Sequence, residues 1–118
     1  SAGPNPNKAR RFLVEHPEAS HQLLGMLKDA VTRHLVHQIK AGAQIVQVFD
    51  SFAGELGPSL FSKFELPILR QIAKGVKEQL KEMNIDPVPM VVFAKDAHFA
   101  IEELSKSGYD VVGLDWCT

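Results

Sequence analysis

The spacing of apolar residues predicts a long amphipathic helix in the first third of the chain. Pro17 suits its first turn, because proline lacks the amide hydrogen that a first turn leaves unbonded. Gly42 is the expected stop. A shorter helix is predicted over Lys8–His16, and residues 1–7, with their glycine, prolines and asparagines, are predicted to be a flexible lead-in. The inward face of the long helix follows three- and four-residue steps, at Leu24, Leu27, Val31, Leu35 and Ile39.

Three short apolar runs predict strands because they are rich in β-branched and aromatic residues and are flanked by glycine or proline. A loop with a short helix is expected after the first run, and a second long helix then begins near Pro67. Asp96 is the predicted N-cap of a third helix that runs to about Lys106. The three predicted strands are Gln44–Phe49, Met90–Phe93 and Asp110–Leu114.

This alternation of helix and strand predicts an α/β fold with a parallel sheet covered by helices. Three parallel strands would leave sheet edges and helix faces uncovered. The pattern therefore predicts an incomplete domain whose flanking strand–helix units are missing.

Composition removes several classes of function. The 118 residues carry a formal net charge of −1, which argues against the broad basic surface of a nucleic-acid-binding protein. No apolar run is long enough to predict a membrane span, and the polar N-terminal residues do not resemble a signal peptide. The single cysteine, Cys117, cannot form an intramolecular disulfide, so a reducing cytoplasm is expected.

The carboxyl ends of the predicted strands are the expected site of chemistry, because reacting groups gather there in α/β sheets and barrels. Ser51 could donate a hydrogen bond to a substrate carboxylate or could serve as a loop hydroxyl. Asp50 could contact a cationic or N–H group, although a structural role is favoured. Lys95 could meet an acidic ligand or pair with a neighbouring carboxylate, and Asp115 with Trp116 could form a pocket wall or simply pack.

Metal and nucleophile chemistry find little support in the sequence. His34 and His37 lie three residues apart on the long helix, but no further ligand lies near them, so a surface pair is expected. Cys117 has no evident basic neighbour and is expected to be inert. No phosphate-binding glycine loop is present.

Four segments in register resemble the uroporphyrinogen decarboxylase family: ASHQLLGMLKDAVTRHLVHQIKAGA, GAQIVQVFDSFAGELGP, PVPMVVFAKD and GYDVVGLDW. The resemblance implies that residues 8–118 are the central segment of a (β/α)8 TIM barrel, containing about three of its strands. It also implies a cytoplasmic homodimer without metal or organic cofactor. The family removes carbon dioxide from four acetate side chains of uroporphyrinogen, a tetrapyrrole, to give coproporphyrinogen in haem biosynthesis.

The resemblance carries two site residues onto this chain. Ser51 falls on the family's substrate-contacting serine in its FDS motif, and Phe49 falls on a residue that lines the same cleft. The family's arginine-rich segment, pyrrole-binding aspartate, active-site tyrosine and C-terminal histidine have no counterpart here. The chain alone is therefore expected to be inactive, and no catalytic residue is assigned within it.

Two alternatives compete with this interpretation. One is a corrinoid-dependent methyltransferase, a relative of the same barrel ancestry that would need zinc held by histidine and cysteine. The other is a non-catalytic fragment that associates with copies of itself through the open edges of its sheet. Zinc content would discriminate the first, and concentration-dependent oligomerisation without porphyrin binding would favour the second.

Overall fold

A computed structural model describes residues 6–50, 53–94 and 98–113 of the chain. Its helices are α1 (Pro6–Glu15), α2 (Pro17–Lys40), α3 (Ala53–Leu60), α4 (Leu66–Glu82) and α5 (Ile101–Ser105). Its strands are β1 (Val46–Asp50), β2 (Met90–Ala94) and β3 (Val111–Gly113). A π-helical turn at Phe61–Glu65 joins α3 to α4, and a 3-10 turn at His98–Ala100 precedes α5.

The strands form one parallel sheet in the order β1-β2-β3. The register runs from Val46 opposite Met90 to Asp50 opposite Ala94 in the first pair. In the second pair it ends with Phe93 opposite Gly113. The prediction of an α/β fold with about three parallel strands and flanking helices is confirmed, and this is the arrangement of part of a (β/α)8 barrel.

The carboxyl ends of α2 and α4, which precede β1 and β2, have the same capping geometry. After α2, the amide of Gly42 donates to the carbonyl of Ile39 and the amide of Ala43 donates to that of Gln38, while Gly42 has a φ of 110°. After α4, Asn84 takes the equivalent place with a φ of 58°. Both ends match the Schellman motif, in which a residue of positive φ closes the helix. Gly42 is therefore the helix stop that the sequence predicts.

The core lies between the sheet and the helices α2 and α4. The strands turn alternate residues toward the helices, among them Val46, Val48, Met90 and Val92. Helices α2 and α4 approach closely at Gly75, where an added Cβ would lie 3.2 Å from Cγ2 of Thr32. The most fully buried aromatic side chains, Phe61 and Phe64, come from the π-helical turn. Burial of this apolar surface is the main stabilising term of the fold.

The opposite face of the sheet is open along its outer strands, whereas Val91 on the central strand is buried. Ile45, Phe49 and Val111 are each at least half exposed there, and Gln47 is exposed as well. Parallel sheets normally have both faces covered, so the open face marks where further structure packs. In a closed barrel this face is the interior.

The structure differs from the sequence-based boundaries at several positions. Helix α1 begins at Pro6 rather than Lys8, and β1 begins at Val46 rather than Gln44. Leu27, predicted to face inward, is 51% exposed, because the inward face of α2 is rotated toward Thr32 and Val36. Ile101, the first residue of α5, is likewise 40% exposed. The predicted cap at Asp96 lies outside the described residues.

Candidate functional site

The candidate site lies at the carboxyl ends of β1 and β2, where consecutive residues of β1 point to opposite faces. Phe49 points to the open face and is 62% exposed, whereas Asp50 points toward the helices and is 6% exposed. This alternation follows from the period of two along a strand. The carboxyl end of β1 therefore has an exposed aromatic ring on one face of the sheet and a buried carboxylate on the other.

The exposed aromatic surface consists of two stacked rings. Phe49 and Phe93 are partners in the register of β1 and β2. Their ring centroids are 5.1 Å apart and their planes differ by 11°. The distance lies within the range of favourable aromatic pairs. Phe49 therefore lies on the face that a complete barrel would enclose, and its role in a substrate cleft stays a prediction.

The buried carboxylate has an acidic neighbour that sequence analysis missed. Glu65, the last residue of the π-helical turn, lies beside Asp50. Its burial, a hydrogen bond with the side chain of Asp50 and repulsion from that charge, in this order, raise the pKa of Glu65 from 4.5 to about 9. Glu65 is therefore protonated at neutral pH. Only the tertiary contact between this turn and β1 brings the two carboxyl groups together.

Asp50 and Glu65 also line a groove at the free edge of β1. The groove has a volume of about 300 Å³ and runs between α2 and α4. Its wall is mostly apolar, with Leu24, Leu27 and Ile68 among its residues, and Lys28 is the one cation among the described residues that line it. The apolar wall beside an unpaired strand edge is the form expected where a neighbouring strand packs. Leu27 is exposed because its side chain lines this groove.

The remaining predicted site residues are distributed as follows. Ser51, Lys95, Asp96, Asp115, Trp116 and Cys117 lie outside the described residues. His34 and His37 are exposed on α2, as a surface pair would be. Within residues 6–50, 53–94 and 98–113, no three histidine, cysteine or acidic side chains gather as a metal site would require. No helix in these ranges combines the length and apolar character needed to cross a bilayer.

A second cavity lies at the other end of the sheet. It has a volume of about 720 Å³ and is lined by the segment from Asn84 to Pro89 together with Asp110. Asp110 holds the strands together there, since its carboxylate accepts a hydrogen bond of 2.8 Å from the amide of Met90. Residues at the amino ends of barrel strands generally serve stability, whereas those at the carboxyl ends serve chemistry. The candidate site therefore remains at Phe49 and its neighbours.

Comparison with known proteins gives one family. The family described as "Uroporphyrinogen decarboxylase (URO-D)" matches residues 2–118. Proteins named uroporphyrinogen decarboxylase from Pongo abelii and Homo sapiens are 59% and 58% identical over 109 residues, 92% of this chain. The protein of that name from Schizosaccharomyces pombe is 51% identical over the same length. The chain spans about 30% of the length of each of these relatives.

Proposed function

This chain belongs to the uroporphyrinogen decarboxylase family, and we propose that it forms the central segment of a barrel that converts uroporphyrinogen to coproporphyrinogen. The observation that carries the proposal is the sheet face with Phe49 exposed at its carboxyl end. In a complete barrel this face would line the cavity where substrate binds. Residues 8–118 are the barrel segment in this proposal, and residues 1–7, of which Pro6 and Asn7 already belong to α1, are a lead-in.

The chemistry explains why such a segment needs the rest of the barrel. An acetate on a pyrrole loses carbon dioxide after protonation of a ring carbon makes the ring an electron sink. The electron pair of the broken carbon–carbon bond forms an exocyclic methylene group, which is protonated to a methyl group, and the ring then releases the proton that it first gained. The site must stabilise positive charge on the ring and hold the remaining carboxylates, which calls for a carboxylate and arginines. Asp50 is directed toward the helices and buried, so we assign it a structural role. The segment alone is expected to be inactive.

Two residues of this segment would contact the substrate. Phe49 would pack against the body of the tetrapyrrole, in keeping with its exposure and its stacking on Phe93. Ser51, next along the chain, would donate a hydrogen bond from its hydroxyl to a substrate carboxylate. The protonated pyrrole is itself the electron sink, so the reaction as proposed requires no cofactor.

The setting of the whole protein is also proposed. A cytoplasmic location accords with a single cysteine, since a reducing compartment favours free thiols. A homodimer is the assembly that membership in the family favours. The near-neutral formal charge of −1 accords with a small-molecule substrate rather than nucleic acid.

A chimeric barrel tests the proposal. In it, the 109 matching residues of this chain replace their counterparts in the Homo sapiens relative. Anaerobic formation of coproporphyrinogen from uroporphyrinogen by this chimeric barrel is the expected result. Ser51→Ala should raise KM, whereas Ser59→Ala, at an exposed serine of α3, is the matched control and should not. A folded chimeric barrel without turnover would contradict the proposal.

A second candidate is a self-associating fragment without catalysis. The specific observation in its favour is the combination of an open sheet face and an apolar groove at the edge of β1. Unpaired strand edges readily accept another chain. Sedimentation equilibrium of the chain over a range of concentrations would show reversible oligomers if this candidate is right, and a monomer at all concentrations would exclude it.

A further inference from the structure

A row of three residues crosses the open face of the sheet at its carboxyl end. Phe49 on β1 is in register with Phe93 on β2, which is in register with Gly113 on β3. The rings of the first two are stacked, and the third position has no side chain. The row therefore consists of two aromatic rings followed by a gap.

Gly113, at the end of this row, leaves space for a neighbouring side chain and is not required for a positive φ angle. Positive φ values occur at Gly42, Gly57 and Gly108 among the described glycines, and Gly113 is not one of them. A Cβ built at Gly113 would lie 2.3 Å from both Cδ1 and Cε1 of Phe93. Such a distance is far inside carbon–carbon contact. The ring of Phe93 therefore occupies the place that a side chain at position 113 would need.

The ring position of Phe93 in turn fixes the stack with Phe49. A methyl group at position 113 would force the ring of Phe93 off β3, and the planes of the two rings could not keep their present 11° and 5.1 Å relation. Aromatic pairs are sensitive to such changes, since their energy depends on offset and orientation. An absent side chain on β3 thus controls the surface that Phe49 presents two strands away.

The chemistry of the surrounding face indicates which part of a ligand it takes. Among residues 6–50, 53–94 and 98–113, the side chains pointing to this side are uncharged: Ile45, Gln47, Phe49, Val91, Phe93 and Val111. These side chains cannot form ion pairs with carboxylates, but the apolar and aromatic ones can pack against the π-faces of pyrrole rings. The carboxylates of a tetrapyrrole must then be held by other groups.

We propose that Gly113 is a positioning residue for substrate binding, and that the two-ring surface of Phe49 and Phe93 which it maintains contacts a pyrrole ring of the tetrapyrrole. This inference rests on the proposed function. Gly113 does not touch the substrate and acts only through the ring of Phe93.

The test compares glycine substitutions in the chimeric barrel. Gly113→Ala should raise KM for uroporphyrinogen about tenfold, the loss expected for one displaced aromatic contact of roughly 1.4 kcal/mol. Its kcat should change less than about threefold, because the reacting groups lie elsewhere. Gly25→Ala is the matched control, since an added Cβ there meets no atom within 4 Å, and it should leave KM unchanged.

Repeating the Gly113→Ala substitution in a Phe93→Leu variant distinguishes an effect on the ring of Phe93 from a general loss of structure. In a Phe93→Leu background, the flexible and smaller side chain can yield to the added methyl group, so Gly113→Ala should raise KM much less than it does beside Phe93. Phe93→Leu alone should raise KM without introducing a clash. The Kd for uroporphyrin, measured by fluorescence quenching with the same variants, should follow the KM values.

The outcomes are distinct. If the unsubstituted chimeric barrel turns over but Gly113→Ala leaves KM and Kd unchanged, the positioning role of Gly113 is wrong and the proposed function stands. An equal effect of Gly113→Ala in both backgrounds would also overturn it. A folded, unsubstituted chimeric barrel that neither turns over nor binds uroporphyrin contradicts the proposed function, and this inference then falls with it.

Discussion

The hydroxyl of Tyr109 donates a hydrogen bond of 2.7 Å to the backbone carbonyl of Leu69. The bond joins Tyr109, two residues before the start of β3, to the first turn of α4, 40 residues earlier in the chain. Tyr109 is buried, so this contact satisfies a hydroxyl that would otherwise be costly to remove from water. It fixes the entry of β3 against the helical layer.

Removal of this hydroxyl should destabilise the fold. Tyr109→Phe keeps the ring and deletes the donor, and it should lower the free energy of unfolding by about 1–2 kcal/mol. Urea unfolding measures the change. Ser105→Ala is the matched control, because its hydroxyl donates to a backbone carbonyl, that of Glu102, at an exposed position; the control should change stability by less than about 0.5 kcal/mol. Equal effects of both substitutions would contradict the structural role of Tyr109.

The same residue gives a spectroscopic prediction. Burial raises the pKa of the Tyr109 hydroxyl well above its ordinary value. Tyr109 is the only tyrosine of the chain, so phenolate absorbance reports on it alone. In an alkaline titration of the folded chain, the phenolate signal should be absent at pH 10 and should appear only together with unfolding. A reversible midpoint near pH 10 with the fold intact would contradict the buried position.

Glu65 predicts an unusual dependence of stability on pH. Because the folded pKa of about 9 exceeds the ordinary value of 4.5, the folded state binds the proton more tightly than the unfolded state between these values. This contribution is fully present below pH 4.5 and is lost as pH rises toward 9. Within the part of the chain that the structure describes, Lys28, from α2, and Asp50 are the charged groups that line the groove with Glu65.

The variant Glu65→Gln removes this titration while keeping a hydrogen-bond donor for Asp50. Relative to the unsubstituted chain, it should gain stability as pH rises from 5 to 8, as measured by urea midpoints at both values. Glu78→Gln is the control, since Glu78 is exposed and pairs with Lys74 at 3.8 Å, and it should leave the pH dependence nearly unchanged. An unchanged pH dependence in Glu65→Gln would show that Glu65 is not the group responsible.

The end of α2 offers a test of the local fold. Gly42 has a φ of 110°, a conformation that a side chain disfavours. Gly42→Ala should therefore destabilise the chain by about 1 kcal/mol. Gly25→Ala, inside the same helix and without a steric neighbour, should be neutral or slightly stabilising, since alanine favours helix more than glycine does. Thermal unfolding of both variants measures the difference, and an equal loss would contradict the capping role of Gly42.

Local patterns were sufficient for much of the fold. The apolar runs around Val48 and Val92 and the stop at Gly42 are signals carried by neighbouring residues, and the structure confirms the elements they predict. The exposure of Leu27 could not be anticipated, because helical spacing gives an apolar face but not the direction in which the helix is rotated against its neighbours.

The candidate site was less accessible from sequence. Phe49 was predicted through family resemblance, and its exposed position on the open face gives that prediction a physical setting; its contact with substrate stays a prediction. The pairing of Glu65 with Asp50 and the space that Gly113 leaves for Phe93 arise only when segments far apart in sequence meet. No local pattern encodes these contacts.

The most direct test of the proposal that this segment works as part of a larger decarboxylase barrel is one anaerobic assay of two samples. Coproporphyrinogen formation from uroporphyrinogen is measured for the chain alone at high concentration and for the chimeric barrel at the same molar concentration. The predicted result is product from the chimeric barrel and none from the chain alone. Turnover by the chain alone, or none by a folded chimeric barrel, would contradict the proposal.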